Sequence, residues 1–122
     1  MATKETRWNN WYLRMLTADA HLFGGDKLAA IAAAKEAMAL FPCALDAMRC
    51  LYPELLGAQV LAWAGDDEDA IALLERMSLG TPGIAPAHAA RDPMFTLPLA
   101  KNARYQALKT RLETQMAATR LE

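Results

Sequence analysis

One spacing governs what this chain can fold into. The stretch "GDKLAAIAAAKEAMALFP" over residues 25–42 is answered by "GDDEDAIALLERMSLGTP" over residues 65–82. Gly25 pairs with Gly65, Asp26 with Asp66, Ala30 with Ala70, Ile31 with Ile71 and Pro42 with Pro82, every pair 40 residues apart. Upstream, Ala18 meets Ala58 and Phe23 meets Trp63 at the same separation. A fixed period of this size means one structural unit used twice.

Each recurring residue has a physical role in a helical hairpin. Glycine after an apolar helix takes the left-handed conformation that ends it. The following aspartate accepts hydrogen bonds from the free N–H groups of the next helix. In the second copy Asp67, Glu68 and Asp69 crowd the first turn, where the macrodipole favours negative charge. Ala30 and Ala70 allow two helices to approach closely, and Pro42 and Pro82 mark where a helix cannot continue.

The resulting expectation is all-helical. Helix 1 is predicted at about 5–23, where Trp8, Trp11, Tyr12, Met15 and Leu22 fall at helical spacing, and helix 2 at about 27–41. Helix 3 is predicted at about 44–64, bent at Pro53, and helix 4 at about 67–78. Residues 79–101 read as an irregular linker opened by "SLGTPGIAP". Asn102 caps a last helix at about 103–120, whose apolar stripe is Tyr105, Leu108, Leu112 and Met116.

Composition agrees and narrows the setting. The 122 residues fit a single domain, 54% are apolar, and valine occurs once, so propensity leans to helix. No window is apolar enough to span a bilayer, and "MATKETRWNN" is no signal peptide. Two cysteines without an export signal imply a reducing cytoplasm. The net charge is −1, unevenly spread: residues 43–82 hold two bases against seven acids, and residues 83–122 six bases against three acids. These parts are expected to attract each other, within a chain or between chains. Binding of nucleic acid through Arg104, Lys109, Arg111 and Arg120 is disfavoured by so small a basic count.

Gly-Asp-x3-Ala-Ile-x5-Ala-x4-Pro resembles the second half of a tetratricopeptide repeat, with Gly25, Ala30, Ala37 and Pro42 at its glycine, alanine and proline positions. Met77 replaces the later alanine in the second copy, and the period is 40 residues rather than about 34. The resemblance implies antiparallel hairpins, a first repeat at about 8–42, a second at about 44–82 and a C-terminal capping helix. "DPMFTLPLAKNARYQAL" resembles the ending of helical repeat regions that follow winged-helix, cyclase or kinase domains in bacterial signalling proteins. The match runs through Asp92, Pro93, Phe95, Pro98, Leu99, Arg104, Tyr105 and Leu108. No winged-helix, cyclase or kinase sequence is present, so only a capped repeat module is implied.

Candidate chemistry is sparse. Cys43 and Cys50, seven apart on a continuous helix, would stand about 10 Å apart and are expected as unbonded, buried apolar residues. With His21 and His88 they lack the close ligand pair that nucleates a metal site. His21 is expected half-buried and His88 in a loop. Ser78, the one serine, lies in no nucleophile turn. An enzyme would need Asp19, His21 and a cysteine to converge, so neither catalysis nor a cofactor or metal is expected. The spacing of Asp66–Asp69 suits helix capping and not a calcium loop.

The expected function is protein–protein interaction, as an adaptor, a regulatory part of a signalling protein, or a chaperone-like module. The repeat resemblance implies a groove for a partner peptide or helix, lined by Tyr12, Met15, Asp19 and Leu22 on helix 1 and Tyr52, Leu55, Gln59 and Ala62 on helix 3. No carboxylate-clamp residues match, so an acidic peptide terminus is not expected. Trp8 and Trp11, on a helix with no preceding hairpin, are expected to serve a homodimer or a docking surface, the alternative being that they fold back onto their own core.

Overall fold

The computed structural model describes residues 3–80 and 83–120. The chain is all-helical: α1 Lys4–Phe23, α2 Lys27–Leu40, α3 Leu51–Trp63, α4 Asp67–Leu79, α5 Pro86–Arg91, α6 Pro93–Thr96 and α7 Ala103–Arg120, with no strand among the described residues. No helix is long and apolar enough to cross a membrane, among those residues.

The two Gly-Asp joints are built alike. Gly25 and Gly65 take φ of +85° and +90°, the positive values that glycine adopts without strain. The Gly25 N–H donates to the Leu22 carbonyl at 3.1 Å and the Asp26 N–H to the His21 carbonyl at 2.9 Å. Gly65 and Asp66 repeat this on Ala62 at 3.2 Å and Leu61 at 2.8 Å. These bonds occupy carbonyls that a helix end leaves open. The carboxylates then start the next helix: Asp26 accepts from the Ala29 N–H at 3.1 Å and Asp66 from the Asp69 N–H at 3.4 Å. The chain reverses at each joint, so α1 packs on α2 and α3 on α4. Pro82, the partner of Pro42 in the period, lies outside the described residues.

Small side chains hold the hairpins close. Ala18, Ala30, Ala34, Ala37, Ala58 and Ala70 are all fully buried. The hairpins join through α2 on α3 and α1 on α3. Between them lies a core of Met15, Phe41, Leu61, Ile71, Leu74 and Met77.

The α2–α3 connection differs from expectation. Helix 3 starts at Leu51 and not near residue 44, so Pro53 falls in its first turn, where a missing N–H is harmless and no bend is needed. Residues 43–50 are turns. The cause is Asp46, whose carboxylate accepts from the backbone N–H groups of Met48 at 3.1 Å and Arg49 at 3.0 Å, a local bond that competes with helix. The chain therefore folds back, and the Cα atoms of Cys43 and Cys50 lie 4.9 Å apart, joined by a disulfide. The unbonded pair expected from a continuous helix is thus overturned, and with it the argument from free thiols to a reducing compartment.

The segment read as an irregular linker carries α5 and α6, each opened by a proline at its first position. Phe95 and Leu99 of this segment and Tyr105 and Leu112 of α7 are fully buried. The Tyr105 hydroxyl donates to the Ala89 carbonyl at 2.6 Å, fastening α7 to α5. Burial, with the charge of Asp92 adding to it, pushes this phenol up to about 12, so it remains a donor. Lys109 donates to the Ala90 carbonyl at 3.0 Å, and Arg91 pairs with Glu113 through two nitrogens. Asn102 accepts from the Tyr105 N–H at 3.1 Å, as a cap should. The attraction between acidic and basic parts is realised within the chain, where Arg104 on α7 pairs with Glu68 and Glu75 on α4.

Two stability predictions arise here. Nothing lies within 4 Å of a Cβ added at Gly25 or Gly65, so Gly25→Ala and Gly65→Ala face backbone strain alone. Each should lower stability by about 1–2 kcal/mol in urea unfolding; unchanged midpoints would deny the joints their role. Reducing the Cys43–Cys50 bond should cost about 2 kcal/mol, the entropy of closing a short loop, read as a lower urea midpoint with reductant present.

Candidate partner-binding groove

Adjacent helices α1 and α3 present one face built from repeat-equivalent positions. Tyr12, Leu16, Asp19 and Phe23 step along α1 at intervals of four, three and four, and Tyr52, Leu56, Gln59 and Trp63 repeat them 40 residues later. That step keeps all four on one side of a helix. Tyr12 is 52% exposed, Tyr52 62% and Phe23 89%, while Trp63 and Leu16 are also open to solvent. A run of large apolar side chains facing water is the informative exception on a protein surface.

The face holds two depressions. One, of about 480 Å³, is lined by Asp19, Leu22 and Phe23 of α1, Lys27 of α2, Gln59, Val60 and Trp63 of α3, and Met94 of α6. The other, of about 610 Å³, lies toward the start of α1 between Trp8, Asn9, Trp11, Tyr12, Leu13, Tyr52 and Leu56. Their walls are mostly apolar. Asp19 is half-buried, and that burial raises its carboxyl above the ordinary value.

Of the residues expected in the groove, Tyr12, Asp19, Leu22, Tyr52 and Gln59 line these depressions. Met15 and Ala62 are instead buried in the core. Leu55 lines neither of these depressions but a third, shared with Tyr52, Met48, Arg49, Ile84 and His88. On α1 the expected Tyr12 and Asp19 hold their places, while Leu16 and Phe23 are the exposed side chains beside Met15 and Leu22, a local shift of one residue. The 40-residue pairing of Phe23 with Trp63 was the sequence signal for that shift. Lys27 and Met94 arrive from other elements and carried none.

Trp11 does not form a docking surface, being 3% exposed, and its indole N–H is buried without a hydrogen-bond partner among the described residues. Its ring lies edge-on to those of Trp8 at 5.3 Å and Tyr12 at 5.8 Å. Trp8 is half-buried, with Phe41 at 5.0 Å, Tyr52 at 6.1 Å and the Arg49 guanidinium 5.2 Å over its face. Both tryptophans thus fold back onto their own core, because Phe41 and Tyr52 come across from later elements to meet them.

Other chemistry-bearing groups are engaged elsewhere. The Cys43 sulfur lies 2.8 Å from a Glu54 carboxylate oxygen, and Arg76 pairs with the same carboxylate. The ligand atoms of Cys43, Cys50 and Glu54 gather within 4.8 Å, but metals bind thiolates and these sulfurs are bonded to each other. Among the basic residues weighed for nucleic acid, Arg104 and Lys109 are held by Glu68, Glu75, Glu113 and the Ala90 carbonyl.

No protein-family model matches this chain, and no curated protein or solved structure does either.

The aromatic contacts of Trp8 make it a packing residue. Trp8→Ala should lower stability by roughly 2–3 kcal/mol in urea unfolding, less than a fully buried tryptophan would. An unchanged midpoint would return Trp8 to the surface role.

Proposed function

We propose that this chain is a tetratricopeptide-like interaction module that holds a peptide or helix of a partner protein along the α1–α3 face. One observation carries the reading: Tyr12 and Phe23 of α1 and their counterparts Tyr52 and Trp63 of α3 leave large apolar side chains open to water, and these line the two depressions of one face. Stacked hairpins present such surfaces, and buried aromatic anchors supply most of the affinity when a partner covers them. The mechanism is one of shape and desolvation, with no reacting group required. The groove's register places Tyr12 and Tyr52 at one end and Phe23 and Trp63 at the other.

A second observation favours a regulatory setting for the module. The residues that resemble the ending of repeat regions in bacterial signalling proteins are those that build the C-terminal cap. Asp92 accepts from the Met94 N–H at 2.9 Å to start α6, and Phe95, Leu99, Tyr105 and Leu108 are buried. In that reading the groove reports on a partner to an attached effector. The reading needs no particular compartment: the Cys43–Cys50 bond withdraws the sequence argument for cytoplasm, since disulfides persist under oxidising conditions.

A random peptide library panned on the whole chain tests the groove. Selected peptides should lose on the order of tenfold in affinity for Tyr12→Glu and Phe23→Glu variants whose circular dichroism is unchanged. Both side chains stand largely in water, so the substitutions leave the core alone. Peptides that bind both variants as well as they bind the parent would place the surface elsewhere.

A further inference from the structure

We infer that the Asp19 end of the groove receives one basic side chain, lysine or arginine, from an otherwise apolar segment of the partner protein. The inference rests on the groove reading above and names the partner's chemistry. Among the described residues Asp19 is the one carboxylate with neither an ion pair nor a side-chain hydrogen bond. The others are taken, by Arg14, Arg49, Arg76 and Arg104 among the bases and by helix N-termini at Asp26, Asp66 and Asp92. Asp19 has given up part of its hydration and received nothing in return. A carboxylate left so is unfavourable until a donor or a cation reaches it.

The cavity around it suits such a cation. Phe23 and Trp63 offer ring faces that attract ammonium and guanidinium groups. Leu22, Val60 and Met94 offer apolar surface for the methylene stem of a long basic side chain. Gln59, the repeat counterpart of Asp19, also has no side-chain partner among the described residues and is placed to bond a peptide group. Lys27 also lines this cavity, but it is exposed and makes no ion pair with Asp19. A small amine would fill only this end. The face continues to Leu16, Leu56, Tyr12 and Tyr52, whose apolar surface only a longer occupant covers.

The test pans the same library on the parent chain and on Asp19→Asn in parallel, then titrates resynthesised peptides by calorimetry. Parent-selected peptides should share one lysine or arginine among apolar residues. Replacing it by norleucine should weaken binding to the parent on the order of tenfold, and to Asp19→Asn by no more than about twofold. Groove-dependent peptides without that preference overturn the inference and leave the groove reading standing. A full preference retained by Asp19→Asn overturns it too, placing recognition on another residue. Propylguanidinium binding as tightly as the peptides would make the ligand a small cation and refute a partner segment. If no peptide depends on the groove at all, both readings fail.

Discussion

A left-handed glycine followed by a capping aspartate is the interaction on which the rest of this structure depends. At each joint two backbone bonds close the outgoing helix and one carboxylate opens the next, within three residues. The bonds that form each reversal are local, the widest joining residues five apart. The buried alanines then decide how near the paired helices come. Because the joint occurs twice in the same form, α1 and α3 take equivalent places, and side chains 40 residues apart meet on one face. The groove is a by-product of repeating the joint.

A two-hairpin stack leaves an open end, and the C-terminal third closes it. The short helices α5 and α6 begin at prolines, α7 lies across α4 and α5, and the Tyr105 hydroxyl ties the arrangement to a backbone carbonyl. The pairing of Arg104 with Glu68 and Glu75 joins the basic last helix to the acidic α4 at the surface. These ion pairs are solvent-exposed and contribute little to stability. Burial of Phe95, Leu99 and Leu112 supplies the holding force.

Local signals in the sequence were legible and distant ones were not. The Gly-Asp joints, the small residues at Ala30 and Ala70, and the Asn102 cap each act through neighbours within a few positions. The turn at 43–50 is not legible in the seven-residue spacing of its cysteines, because Asp46 diverts the backbone into its own hydrogen bonds. Asp19 and Gln59 line one depression together, a pairing that the 40-residue period makes legible. Between a surface and an inward place for Trp8 and Trp11 the helical spacing left both open, because Phe41 and Tyr52, which meet Trp8, come from later elements. Met94 was invisible for the same reason.

The bonded turn between α2 and α3 bears on how the groove pairs with anything. It is pinned at several points: Cys43 to Cys50, Asp46 to Lys4, and Arg49 to both Glu5 and the ring of Trp8. These ties connect the entrance of α3 to the first turns of α1, the two walls whose separation sets the width of the cleft. Walls fixed in advance lose little freedom on association, so less of the contact energy is consumed in ordering them. Under the proposed binding reading, walls tied together in this way would admit an occupant by its width before its chemistry.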